Sequence, residues 1–168
     1  FQSKENFLRL LLQQMYDEVF AQLQAEVNHA GSALQRLRQS LCLIARLMRE
    51  HGGWLGRIWS DAGNNETVAC QFLQQNGSRH VLLILGLLDE ATKDGDIAPM
   101  APMQRMAFLM GAVVAPMLMA PRAIQLGIAP PQLQEQLGAQ VLSDSGIAER
   151  VDRALCALAY QKKEADHA

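Results

Sequence analysis

Apolar side chains recur every three or four positions through most of this chain, which is the period of an α-helix that buries one face. The first such run begins after Ser3, a favourable helix N-cap, and continues to about Ala30. The second begins after Ser32 and is expected to end at the glycine pair 52–53, because paired glycines favour a helix C-terminus. A separate short helix is then expected over 54–60.

The middle of the chain predicts two helices that must be covered on more than one side. One runs from about Glu66 to Asp94 with a kink at Gly77, and its second half is apolar on nearly every side. The other starts at Pro102, a residue suited to the first helical position. Its apolar residues follow a 3,4,3,4 spacing: Met103, Met106, Met110, Val113 and Met117.

Prolines and glycines interrupt the pattern between Pro116 and Ser143, so we expect a long connection there with one or two brief helices. A last helix starts near Asp144, and Lys162 and Lys163 at its end complement the helix dipole. The whole pattern predicts an all-α fold, a helical bundle of about six main helices.

Composition supports one globular domain. The 168 residues are 49% hydrophobic and 19% charged, which excludes a disordered chain. Leu, Ala and Gln greatly outnumber the β-branched Val, Ile and Thr that favour strands. The net charge of −2 lacks the basic excess of a nucleic-acid-binding module, so this stretch alone is not expected to bind DNA.

The cysteines and histidines do not form a metal-ligand pattern. Cys42, Cys70 and Cys156 have no CxxC spacing and lie in apolar surroundings, as free thiols do in a reducing cytosol. No histidine pairs at i,i+4 with another histidine or with a cysteine. We therefore expect no zinc site, no cofactor and a cytoplasmic protein.

One stretch resembles a membrane segment in composition. The 16 residues 106–121 carry no charge, but Gly111, Pro116 and Pro121 interrupt them, and a bilayer requires about 20 apolar residues. We interpret this stretch as a helix buried in protein. The first residues also lack the continuous apolar run of a signal peptide.

The first eight residues, FQSKENFL, resemble the F-x-S-K-E-x-L signature at the end of the DNA-binding domain in TetR-family transcription regulators. In that family the Phe closes the helix-turn-helix unit, Ser-Lys-Glu caps the next helix, and the Lys contacts a DNA backbone phosphate. The resemblance assigns these roles to Phe1, Ser3, Lys4 and Glu5, whereas Phe7 stands where the family has Leu.

The resemblance implies that residues 1–8 are the remnant of an N-terminal helix-turn-helix domain and that 9–168 form an effector-binding and dimerisation domain like the TetR C-terminal domain. The three-helix DNA-reading unit is absent and the chain starts without Met, so we expect a preceding segment. The implied function is a ligand-responsive transcription regulator, a repressor in this interpretation, that binds operator DNA only through the missing domain. The alternative is a helical adaptor or dimerisation module without a small-molecule ligand.

Catalysis is not expected, because the chain lacks the nucleophile-elbow, P-loop, zinc-protease and dinucleotide-binding patterns. His80 is either a hydrogen-bonded core residue or a ligand contact. The tryptophans are either core residues or parts of a pocket wall. The candidate ligand-binding residues are Ile44, Met48, Trp54, Ile58, Trp59, Phe72, His80, Leu83 and Phe108.

The ionisable groups near these candidates are mainly Arg57, Arg79 and His80, with no acid on an apolar helical face. A buried cation would need a carboxylate or an aromatic cage, so we expect an apolar effector that is neutral or acidic.

Two helices have apolar faces that one subunit is not expected to cover, which predicts a homodimer built on an isologous four-helix bundle. The methionine stripe suits core or interface packing better than a cofactor site. The candidate interface residues are Met106, Met110, Val113, Met117, Ile147, Val151, Leu155 and Leu158.

Overall fold

A computed structural model of the chain describes residues 2–159, and side chains from Lys4 onward. Helices make up most of these residues, and the prediction of an all-α fold is confirmed. Within this range no β-strand is present, and an isolated antiparallel bridge joins Ile97 to Ala159. The α-helices are α1 (Gln2–Val27), α2 (Ala33–Gly63), α3 (Thr67–Asn76), α4 (Arg79–Lys93), α5 (Pro102–Leu109), α6 (Ala115–Gln125), α7 (Pro131–Gln136) and α8 (Asp144–Leu158), with π-helical turns at Met110–Val114 and Leu137–Leu142.

Helix α2 begins where the sequence predicts and continues past the predicted end. Ser32 and Gln35 form a reciprocal capping box at its N-terminus, which satisfies two backbone amides. The expected stop at 52–53 and the separate helix over 54–60 are wrong, because α2 continues to Gly63. A Cβ atom added at Gly52 would lie 3.0 Å from Leu118 Cδ2. This glycine therefore permits close packing of α6 on α2 and does not end the helix.

The predicted kink at Gly77 is a complete break between α3 and α4. A Cβ atom at this position would lie 2.7 Å from the Leu73 carbonyl oxygen, so the tight turn excludes a side chain. The break places Asn76 and His80 close to α1, where both contact the Tyr16 hydroxyl.

The predicted loop after Pro116 is also wrong in its first part, because helix continues through Pro116 and Pro121 to Gln125. A π-helical turn precedes Pro116, and its wider register lets the Ala115 amide donate to the Met110 carbonyl. This turn accommodates a residue that has no amide hydrogen of its own. We refer to the continuous segment Pro102–Gln125 as the apolar helix.

The end of the chain follows the prediction more closely. Helix α7 and a π-helical turn fill the connection, and α8 begins at Asp144 with Ser143 as its N-cap. The Ser143 hydroxyl accepts a hydrogen bond from the Gly146 amide at 3.0 Å. Lys162 and Lys163 lie outside the described residues.

Helix α2 is central and packs against α1, α3, α4, α6 and α8. Around it lies a continuous group of buried, mostly aliphatic side chains, which we call the aliphatic core. Its largest fully buried members are Leu37, Leu41, Ile84, Leu87, Leu88, Ile97, Leu109, Val113, Met117, Ile147 and Val151.

The apolar helix is long and apolar enough to cross a membrane by length and composition, and 22% of its apolar window is buried in this chain. Its 24 residues exceed the predicted 16-residue stretch, and one face remains exposed, so burial within this chain is only partial. The buried face carries Arg105, which donates to Asp89 at 3.0 Å and to the Leu88 carbonyl at 3.3 Å. A helix that buries the Arg105 side chain against α4 is a packed element of this bundle.

Candidate ligand-binding site

A cavity of about 90 Å³ lies between α1, α2 and the start of α4. Its walls are almost entirely apolar and aromatic, and no carboxylate lines it. The lining residues are Tyr16, Val19, Phe20, Leu23, Ile44, Leu47, Met48, His51, Trp54, Leu55 and His80.

Four of the residues predicted from the sequence lie together in this wall. Ile44, Met48 and Trp54 come from α2 at helical spacing, and His80 comes from the first turn of α4. The break at Gly77 turns α4 back toward α1, and this turn carries the imidazole to the cavity.

Three other predicted residues lie beside the cavity. Ile58 and Phe72 are buried in a second group with Tyr16, Phe20 and Ala69, which we call the aromatic cluster. Leu83 is half-buried and packs against both the aromatic cluster and the aliphatic core.

Two predicted ligand-binding residues lie away from the cavity. Trp59 is 67% exposed, and Phe108 is 42% exposed on the outer face of the apolar helix. Because α2 is continuous, Ile58 lies one turn beyond Trp54 on the same face, whereas Trp59 is rotated by a further 100° or so toward solvent. Their assignment to the pocket wall is therefore corrected.

Most of the wall that the sequence analysis missed comes from α1 and from the interior of α2. Tyr16, Phe20 and Leu23 follow the 4,3 spacing of one helical face, which could have identified them. His51 and Leu55 follow Met48 at the same kind of spacing. They were missed because α2 was expected to end near His51.

Tyr16, Asn76 and His80 form one short polar network beside the cavity, whereas the buried Trp54 Nε1–H has no hydrogen-bond partner among the described residues. The Tyr16 hydroxyl donates to the Asn76 carbonyl at 2.9 Å and lies 3.4 Å from His80 Nδ1. The Asn76 side chain is buried and donates to the Phe72 carbonyl and to Gln13. This network fixes α1 against the α3–α4 break.

Arg79 closes the network on the outer side. Its guanidinium lies 4.0 Å from the centroid of the Phe20 ring and donates to Asp17 at 2.9 Å. Hydrogen bonds from Gln13 and Arg79 lower the pKa of Asp17. Because Arg79 is already paired and stacked, it does not supply a free cation to the cavity.

Burial changes the ionisation of the two titratable groups in the network. It lowers the pKa of His80, so the imidazole is neutral at pH 7, and it raises the pKa of Tyr16, so the phenol keeps its proton. Both His80 and Tyr16 are therefore uncharged at neutral pH.

Trp54 also borders a wider cleft of about 550 Å³ on its other side. This cleft contains Glu5, Asp61 and Glu66, with Arg57 3.9 Å from Asp61. The acidic groups thus lie outside the cavity, beyond the indole ring.

The residues assigned to a dimer interface lie mainly inside the subunit. Met110 is half-buried, and the others are buried in the aliphatic core: Met106, Val113, Met117, Ile147, Val151, Leu155 and Leu158. The expectation that one subunit leaves these faces uncovered is wrong, because α2, α5, α6 and α8 cover one another. The apolar side chains left exposed on the apolar helix are instead Met103, Phe108, Leu118 and Met119.

Lys4 is exposed in the first turns of α1, away from the cavity. Among residues 2–159, no group of three or more His, Cys, Asp or Glu side chains gathers where it could hold a metal ion. Comparisons of the chain with protein-family models, curated proteins and solved structures find no match.

Proposed function

We propose that this chain is the effector-binding and dimerisation domain of a ligand-responsive, TetR-like transcription regulator. The observation that carries the proposal is the apolar cavity between α1 and α2. Its place on α1 matters because that helix begins with the residues that resemble the end of a DNA-binding domain.

The free energy of folding that the chain loses by leaving this cavity unfilled follows from its volume. Protein interiors are normally filled to crystal-like density, and unfilled space lowers stability by about 24 cal/mol per Å³. A cavity of 90 Å³ therefore corresponds to about 2 kcal/mol of lost packing free energy. A bound apolar molecule would recover this free energy, which gives the space a role in binding.

The composition of the wall supports an apolar effector, neutral or acidic. A cation would lose its hydration in a cavity lined by no carboxylate of the described residues, and the aromatic rings alone would have to compensate, although the Arg79 guanidinium already covers the Phe20 ring. The acidic groups of the outer cleft, Glu5, Asp61 and Glu66, are not among the residues that line this cavity.

The alternative function is a helical adaptor without a ligand. A filled core would favour the adaptor, whereas a cavity beside Trp54 favours a ligand-binding protein. In the aliphatic core, buried side chains fill the space, so the cavity is a local feature of the α1 side.

The proposed homodimer uses the exposed face of the apolar helix. Phe108 and Leu118 lie on this face with Gly111 between them, and Met119 is 70% exposed beside them. A small residue between larger apolar ones lets two helices approach closely. An isologous contact of two such faces would cover apolar surface that a monomer exposes to water.

Ligand binding is tested with Trp59→Phe, which leaves Trp54 as the single tryptophan of the chain. We expect apolar neutral or acidic compounds, such as small aromatic molecules and fatty acids, to change Trp54 fluorescence and to raise the melting temperature. Quaternary ammonium compounds are expected to have no effect.

The matched control is Val19→Phe in the same background, which fills the cavity from α1. It should stay folded and lose both responses. If no apolar compound changes the fluorescence or stability of the Trp59→Phe protein, the adaptor function is favoured. A response that Val19→Phe retains would place binding elsewhere and contradict the proposal.

A further inference from the structure

The wider cleft beside Trp54 lies where three helix ends meet. This space of about 550 Å³ is bordered by the first turns of α1, the last turns of α2 and the start of α3. Its apolar lining comes from Leu8, Leu12, Trp54, Ile58 and Val68. It is much larger than the 90 Å³ cavity, and its lining combines apolar with acidic side chains.

The acidic residues of the cleft are brought together by the contacts between these helices. In the turn between α2 and α3, the Glu66 amide donates to the Asp61 carbonyl at 3.0 Å. Glu5 stands on the α1 side, and a hydrogen bond of 2.8 Å from Arg9 to Gln71 joins α1 to α3. Carboxylates from three different helix ends therefore surround one space.

These carboxylates are largely free to pair with a partner. Neither Glu5 nor Glu66 takes part in an ion pair between described residues. Glu66 is the N-cap residue of α3, and its side chain makes no capping hydrogen bond. Asp61 lies 3.9 Å from Arg57, whose side chain is 82% exposed, so this pair is weak. The lining therefore carries an excess of negative charge.

Apolar surface continues from the cleft along the start of α1. Phe7 is 67% exposed, and Leu11, one turn further, is also exposed. The next residues on the same helical face are Gln14 and Glu18, which are polar, as a face in water should be. The exposed apolar patch is thus confined to the end of α1 that borders the cleft, and such patches mark interaction sites.

The charge of the cleft decides which class of partner it fits. Nucleic acids and anionic membranes would be repelled by the carboxylates. A small cation would gain little, because one exposed ion pair contributes little affinity. A protein segment can present several cations and several apolar side chains at once, and so can match both parts of the lining.

We propose that this cleft is a docking site for a basic, amphipathic segment of a partner protein. Apolar side chains of the segment lie in the cleft against Trp54 and Ile58, and its lysines or arginines pair with the surrounding carboxylates. This is the mode in which an amphipathic helix binds an apolar groove. Docking here does not require a ligand in the cavity, since Trp54 lines both spaces and the other lining residues differ.

The probe is a short synthetic peptide of leucine and lysine, with leucine at helical spacing. Its binding to the chain is measured by calorimetry and by Trp54 fluorescence in Trp59→Phe. We expect binding that weakens as salt is added, because the ion pairs are exposed. The same peptide with glutamate for lysine, or with serine for leucine, should bind about tenfold more weakly or worse, because it matches only one part of the lining.

Neutralising the cleft tests the carboxylates. Glu5→Gln, Asp61→Asn and Glu66→Gln are combined in one variant, which keeps the shape of each side chain. Each exposed ion pair contributes roughly a factor of two to five in affinity, so this variant should bind the leucine–lysine peptide about tenfold more weakly or worse.

The matched control makes the same change in net charge at exposed acids outside the cleft. It combines Glu18→Gln, Asp94→Asn and Glu135→Gln. This variant should bind the peptide with the affinity of the wild type. The comparison separates docking at the cleft from general attraction between a basic peptide and an acidic protein.

Two further variants test the apolar contact and its location. Leu8→Ser removes part of the apolar lining and should weaken peptide binding. Val19→Phe fills the smaller cavity and should leave peptide binding unchanged, because Val19 does not line the cleft.

Several results would overturn docking at this cleft. One is the absence of peptide binding to the wild type, and another is equal binding by the neutralised variant and its control. Loss of binding in Val19→Phe alone would place the peptide in the cavity. Binding of octylammonium as tight as that of the peptide would make the cleft a small-molecule site. If neutralising the cleft changes the oligomeric state in light scattering, its occupant is a second copy of this chain.

Discussion

The two sides of α2 are packed in different ways. On the side of α4, α6 and α8, aliphatic residues such as Leu41, Leu109 and Val113 are wholly buried and fill the aliphatic core. On the side of α1, aromatic residues surround a cavity, and a network from Tyr16 to His80 lies beside it.

The difference in packing separates a close-packed, stabilising side of the bundle from the side that we propose binds an effector. Close packing of aliphatic side chains gives the larger part of the hydrophobic stabilisation and leaves no room for a ligand. The α1 side gives up part of this stabilisation and retains an apolar space beside a hydrogen-bonded network. We therefore expect equivalent substitutions on the two sides to have different or opposite effects.

The largest difference is expected between charges placed on the two faces of the apolar helix. Val113→Glu would place a carboxylate in the aliphatic core, where burying an ion carries a penalty of several kcal/mol, comparable to the whole stability of a domain. The variant should fail to fold. Met119→Glu combined with Phe108→Glu, on the exposed face, should keep the helical circular dichroism and give a monomer by light scattering.

The double variant also tests the interface. If it remains a dimer, the exposed face of the apolar helix is not the contact. If Val113→Glu folds with wild-type stability, the packing described for the aliphatic core is wrong.

A smaller contrast is expected from adding one methylene to a valine on each side. Val19→Ile extends into the cavity and should stabilise the protein by up to about 0.8 kcal/mol. Val113→Ile adds the same group to a filled space and should destabilise it by about 1–3 kcal/mol. Urea unfolding at equilibrium measures both, and equal effects of one sign would contradict the difference in packing.

Much of the fold could be predicted from local sequence because helical periodicity and capping residues act over a few positions. Ser32 and Pro102 mark helix starts that the structure confirms, and the last helix begins at Asp144 as expected. Local signals failed where tertiary packing overrides them. Glycine favours a helix end, yet Gly52 lies inside α2, where the absence of a side chain permits the contact with Leu118.

The candidate site could be predicted only in part for the same reason. Trp54 and His80 stand out in the sequence by residue type. Their placement in the wall of one cavity depends on the break at Gly77 and on how α1 packs against α2. The predicted dimer interface took the buried face of the apolar helix for an uncovered one, because both faces of this helix are apolar. Periodicity identifies an apolar face and does not identify what covers it.

A third contrast compares two adjacent glycines of α2. Alanine stabilises a helix interior by about 0.5–1 kcal/mol relative to glycine. Gly53→Ala should show this full gain, because an added Cβ meets nothing within 4 Å. Gly52→Ala should gain less or lose stability, because its Cβ would press on Leu118 of α6. The melting temperatures of the two variants measure these changes in stability. A larger gain for Gly52→Ala than for Gly53→Ala would contradict the close contact with Leu118.

The last contrast is the response of each side to pH. Burial raises the pKa of Cys42 in the aliphatic core, so this thiol stays protonated between pH 5 and 8. Burial lowers the pKa of His80 below the value of about 6.5 that it has in an unfolded chain. As the pH falls below 6.5, the unfolded state takes up the proton more readily than the folded state, so stability should decrease until the pH passes the folded pKa.

The unfolding free energy of the wild type and of His80→Gln, measured between pH 8 and 5, isolates this contribution. Burial raises the pKa of Tyr16, and hydrogen bonds lower the pKa of Asp17, so neither of these two groups titrates in the window. His51, across the cavity, is retained in both proteins and cancels in the comparison. The wild type should lose more stability on acidification than His80→Gln. Parallel pH profiles of the two proteins would show that His80 is not held neutral by its surroundings. The α1 side and the aliphatic core would then not differ in their response to pH.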